Sequence, residues 1–133
     1  MSEFNIRRDK LLERMDENSV ALIYSGVSKI SSEDDFFPFV VNRNFYYLTG
    51  IEQEDSLLLL VKGIGISTVY LFISPYDPIK ERWTGKKITL EQASSISEIT
   101  NVYTNEAIDT MLDFIVKEKE YGEIFNIYLD LAP

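Results

Sequence analysis

The chain has no cysteine and no histidine. Lacking cysteine, it has no disulfide framework, which suits a reducing compartment, and the cytoplasm is the expected location. The missing histidine excludes a Ser-His-Asp or Cys-His catalytic arrangement, and with neither residue the usual zinc sites are excluded as well. Basic residues are few: 13 Lys and Arg stand against 22 Asp and Glu, a formal net charge of −9. Such a balance argues against nucleic acid and anionic membrane as partners, since both are bound through clustered cations. Long apolar runs are also missing. The N-terminus, M-S-E-F-N-I-R-R-D-K, offers no secretory signal, and the most membrane-like window, Leu57 to Ile73, is broken by Lys62-Gly63-Ile64-Gly65.

At 133 residues with 45% hydrophobic residues, the chain fits one globular domain spanning 1–133, with no internal repeats. Leu11, Leu12 and Met15 share one side of a short helix over 6–16, with Arg7, Arg8, Lys10 and Glu13 on the other. Val20 to Tyr24 is a continuous apolar run, as expected of a strand covered on both faces. Leu57 to Val61 and Thr68 to Ile73 predict a hairpin, and Thr89 is placed to cap a short helix. Ala107, Ile108, Met111, Leu112, Ile115 and Val116 recur every three or four residues, which predicts a helix over 105–121 stopped by Gly122. Ile127, Leu129 and Leu131 alternate as a last strand. Helices mixed with strands in this order imply an α/β fold, a mixed sheet with helices against it.

The most specific stretch runs from Ser32 to Gly50. Its six aromatics at Phe36, Phe37, Phe39, Phe45, Tyr46 and Tyr47 read as an extended arm bent at Pro38, then a strand over 44–49 ended by Gly50. The pattern D-x-x-F-P-F-x-x-N-x-x-F-Y-Y-L-T-G, which starts at Asp34, is followed by an acidic turn, Glu52 to Asp55, and an apolar strand. It resembles the N-terminal domain of aminopeptidase P, of the creatinase and prolidase superfamily. Arg7-Arg8-x-x-Leu11-Leu12-x-x-Met15 resembles that domain's opening helix, and Trp83-x-Gly85-Lys86-Lys87 its W-x-G-basic turn. In two places the chain departs from the family pattern: Val40 and Val41 replace a basic and an amide residue, and Asn44 stands where the family carries an acid.

The resemblance implies a ribonuclease-H-like mixed sheet of about six strands and a non-catalytic role in shaping the substrate cleft and supporting oligomerisation. It implies a parent Xaa-Pro aminopeptidase that acts on proline-containing peptides and associates as a homo-oligomer. In the family the polypeptide continues into a larger C-terminal catalytic domain, and the end of this chain at Leu131-Ala132-Pro133, directly after a strand, is expected to be a boundary before it. The family's two divalent metal ions, typically manganese, are held by carboxylates and one histidine in that C-terminal domain; this chain, without histidine, supplies no catalytic and no metal residue. Two of its residues fall on positions that relatives use near the cleft or at a neighbouring subunit, Asp34 and Trp83. Prolidase and creatinase-type hydrolases share the scaffold, and a stand-alone acidic interaction module is the alternative of another class.

The remaining features have plain structural readings. Glu33-Asp34-Asp35 and Glu52-x-Glu54-Asp55 lack the spacing of a calcium loop and read as solvated turns. Gly63-x-Gly65 is followed by a strand rather than a helix, so it is a turn and not a dinucleotide fingerprint. The rings around Phe45 are expected to pack in the core, without the basic groove a base-stacking platform needs.

Overall fold

A computed structural model of the chain describes residues 2–27, 40–75, 88–117 and 121–130. Five strands form one mixed sheet in the order β4-β3-β2-β1-β5. These are β1 (Ser19–Tyr24), β2 (Leu57–Lys62), β3 (Ser67–Ile73), β4 (Asn101–Thr104) and β5 (Asn126–Asp130). β1 to β3 form an antiparallel meander, while β4 pairs parallel to β3 and β5 parallel to β1. The expected sheet of about six strands thus has five among the described residues. β4 was not anticipated: Asn-Val-Tyr-Thr is only four residues long, and its weakly buried side chains leave no apolar pattern to read.

Strand alternation divides the core in two. Ala21, Ile23, Leu58, Leu60, Leu71 and Ile73 point to one face, where they meet Leu12 and Met15 of α1 (Glu3–Arg14), Phe45 and Leu48 of α2 (Arg43–Thr49) and Ala93 of α3 (Leu90–Ser97). Val20, Leu57, Leu59, Val61, Tyr70 and Phe72 point to the other, under Ile115 of α4 (Ile108–Lys117). The middle of β2 is wholly buried, which explains its unbroken run of leucines. Gly63 to Ile66 closes the hairpin, with Gly65 at φ +71°.

The stretch over 44–49 is a helix, not a strand. Asn42 accepts a bond from the Asn44 amide at 2.9 Å, Phe45, Leu48 and Thr49 share the buried side at helical spacing, and Gly50 ends the helix in the left-handed region at φ +73°. Capping at both ends and helical spacing override the β preference of its aromatics. Of its aromatics only Phe45 enters the core; Tyr46 and Tyr47 stay exposed.

Two further expectations shift. The segment over 105–121 begins as a 3₁₀ turn at Asn105–Ala107, its α-helix covers Ile108–Lys117, and Tyr121 lies beyond it with its hydroxyl 2.7 Å from that of Tyr70. Arg8, assigned to the polar side of α1, is 3% exposed and donates to the Leu48 carbonyl at 2.8 Å, which joins α1 to the C-terminal turn of α2. Burial pulls its guanidinium pKa down, opposed by the charges of Asp9 and Glu98. Lys62 secures the other end of α1, donating to the Leu12 and Met15 carbonyls at 2.6 and 2.9 Å. Thr89 caps α3 as expected, in a reciprocal capping box with Gln92.

Candidate functional site

Asp34 and Trp83, the two residues singled out from the sequence, lie outside the described residues. So do the Phe-Pro-Phe arm and the W-x-G turn that carry them. What the described residues do form is a groove of about 470 Å³ between α1, α2 and the β1–β5 pair. Ala21 and Ile23 of β1 make its apolar floor, continued by Leu11 and Leu48. Helical spacing places Arg7, Lys10 and Arg14 along one wall, and Asn44 and Tyr47 of α2 and Tyr128 and Asp130 of β5 contribute polar groups to the others.

Arg7 is held firmly. Its guanidinium lies 4.1 Å from the centre of the Tyr47 ring and donates to the Tyr47 carbonyl at 3.1 Å and to Glu3 at 3.2 Å. The exposure of Tyr47 therefore serves a cation. Asp130 is equally fixed: Asn42 and Asn44 donate to its two carboxylate oxygens at 3.2 and 2.7 Å. Asn42 also donates to the Tyr24 carbonyl at 2.9 Å, so the ends of β1 and β5 and the start of α2 are tied together. At Asn44, the departure from the family pattern supplies an amide donor where an acid would oppose Asp130.

Charged and polar side chains surround the apolar floor of the groove, and none of its lining residues is Ser, Thr, Cys or His. Across the described residues no three His, Cys, Asp or Glu side chains converge on a point where a metal could sit. The acidic turn is taken up by structure: Asp55, at φ +53°, accepts from the Tyr24 hydroxyl at 2.8 Å and from Asn105 at 3.0 Å. Burial first, then that bond and the nearby carboxylates, push the Tyr24 phenol up to about 12. No helix among the described residues is long and apolar enough to cross a membrane.

The sequence signalled this groove faintly. Arg7, Lys10 and Arg14 recur at helical spacing, but β5 lies more than 110 residues further along the chain, and nothing local announces that the two meet.

Comparison with known proteins identifies the domain. Residues 4–125 match the family described as aminopeptidase P, N-terminal domain. The chain is similar to a Xaa-Pro aminopeptidase of Haemophilus influenzae, 32% identical over 115 residues, covering 86% of this chain and 27% of that protein. Its fold superimposes on a Bacillus anthracis protein assigned as an aminopeptidase P with a TM-score of 0.85, at 32% identity over 98% of this chain and 30% of the other. It also matches Escherichia coli aminopeptidase P in fold, with a TM-score of 0.77 at 22% identity, covering 96% of this chain and 37% of that one. The chain therefore spans between about a quarter and two fifths of each relative. By sequence and by fold, it belongs to the family of aminopeptidase P N-terminal domains.

Proposed function

We propose that this domain is the non-catalytic N-terminal part of a Xaa-Pro aminopeptidase, a cytoplasmic hydrolase that removes an N-terminal residue preceding proline. The single observation that carries this is the family match over 4–125. The domain shapes the substrate cleft and supports association of subunits, with Asp34 and Trp83 as its cleft or inter-subunit residues. In this reading the divalent ions, manganese, would be held by residues of the C-terminal catalytic domain and would supply activation of water for hydrolysis of the bond before proline. The chemistry of the chain fits that division, because it has no histidine to offer such a site.

The test is an assay of the parent polypeptide on Xaa-Pro dipeptides and longer Xaa-Pro peptides. Metal-dependent release of the first residue from the longer peptides is expected. Cleavage of dipeptides alone would assign the parent to prolidase, and no cleavage of either would overturn the reading. The 133-residue chain alone should be inactive with any added divalent ion.

A further inference from the structure

Positive charge is scarce in this chain, yet three cations share one wall of the groove. Arg7, Lys10 and Arg14 fall within about 60° of one another around α1 and so form a single stripe. Neighbours of like charge at i,i+3 and i,i+4 destabilise a helix. Arg7 is compensated by Glu3 and by the Tyr47 ring. Lys10 and Arg14 are not: the ion pairs among the described residues are Arg7–Glu3 and Lys117–Asp113, and neither Lys10 nor Arg14 makes a hydrogen bond there, although the chain carries 22 acids. The helix macrodipole favours Arg14 in the last turn but does nothing for Lys10 in the turn before it.

What lies across from this stripe decides the ligand. Asp130, the acid of the opposite wall, is occupied by the amides of Asn42 and Asn44 and makes no ion pair with the cations among the described residues. Between the walls lie Ala21, Ile23 and Leu48, apolar and packed from beneath. An inorganic anion would gain nothing from such a floor, and an uncharged hydrocarbon would leave the cations unused. A planar guanidinium fork beside an ammonium suits a carboxylate. The volume of about 470 Å³ falls in the range of small-molecule sites, roughly 300–1,000 Å³.

We propose that this groove is a binding site for a small apolar carboxylate, its head held by Lys10 and Arg14 and its hydrocarbon body laid over Ala21, Ile23 and Leu48. A free medium-chain fatty acid and the C-terminal residue of an apolar peptide share this chemistry.

Isothermal titration of the parent polypeptide with butyrate, hexanoate and octanoate, and with N-acetyl-leucyl-leucine as the peptide, tests the site. A chelator is present throughout, so that no carboxylate is held by a metal ion. Octanoate should bind at least about tenfold more tightly than butyrate, since each buried methylene strengthens binding about fourfold. Octanamide, its uncharged counterpart, should bind at least about tenfold more weakly than octanoate. Lys10→Gln combined with Arg14→Gln should lower the affinity for octanoate at least about tenfold, and Lys10→Gln alone at least about threefold. Both residues are exposed, so the variants should melt like the unaltered protein. Whichever of octanoate and the peptide binds more tightly identifies the source of the carboxylate. No binding of either would overturn the proposal, whether the groove then stands open or is filled by protein. Affinity indifferent to chain length, or binding that the variants leave intact, would overturn it as well. None of these outcomes depends on whether the parent cleaves Xaa-Pro peptides.

Discussion

At Gly50 both backbone conformation and space call for glycine. It closes α2 at φ +73°, and a Cβ built there would lie 2.6 Å from two ring carbons of Phe4. Gly50→Ala should destabilise the domain by at least about 1 kcal/mol from the left-handed backbone alone; a thermal melt showing a loss under about 0.5 kcal/mol would contradict this. Asn44→Asp would set a carboxylate against Asp130, now held at 2.7 Å by the amide. A loss of about 1 kcal/mol at neutral pH is expected, from the lost amide donor and the like charge beside Asp130. Denaturant midpoints of the two proteins decide it. Tyr24 gives the alkaline limit. Its folded pKa is raised above the ordinary phenol value, so its contribution is fully present below about pH 10 and is lost as pH rises through about 12. Absorbance titration of tyrosinate should include a late step from Tyr24, and Tyr24→Phe should lower the amplitude of that late step by one phenol.

The elements differ in how openly the sequence announces them. β2 is legible because nothing but apolar side chains can fill a strand buried on both faces, and α3 because Thr89 and Gln92 form a capping box that needs no tertiary partner. α2 was misread because its aromatics suggested a pleated strand, when the decisive signals were Asn42 before it, Gly50 after it and the spacing of Phe45, Leu48 and Thr49. Arg8 defeated the helical pattern because its partner, the Leu48 carbonyl, is 40 residues away. For α4 the stripe holds except at Val116, which is exposed, and its depth is uneven. Ile115 is fully buried while Leu112 is only partly so, and therefore Ile115→Ala should cost about 2–5 kcal/mol and Leu112→Ala distinctly less. Equal losses in chemical denaturation would mean that α4 sits rotated about its axis.

At the scale of the molecule, cleft and core make opposite demands on Trp83 and Asp34. If Trp83 lines the cleft of the parent, Trp83→Ala should lower kcat/KM most for longer peptides while the melting temperature barely moves. A core role would instead cost about 3–5 kcal/mol of stability and affect activity only through folding. Asp34→Asn, nearly unchanged in volume, should lower activity in the same manner, and normal kinetics in both variants would leave this domain only a structural and associating part.

The pairing of β1 with β5 has a consequence in time. β1 is among the first strands synthesised, yet the neighbour on its outer side begins only at Asn126. The ribosome needs about 5–20 s to add the roughly 100 residues between them. Throughout that interval the meander of β1 to β3 can already close, while one row of β1's amides and carbonyls stays open to any passing strand. A chain stopped at Lys117 should therefore exchange the outward-facing amides of β1 readily, and one carried through Asp130 should protect them. The newborn domain is most vulnerable at one of its oldest strands.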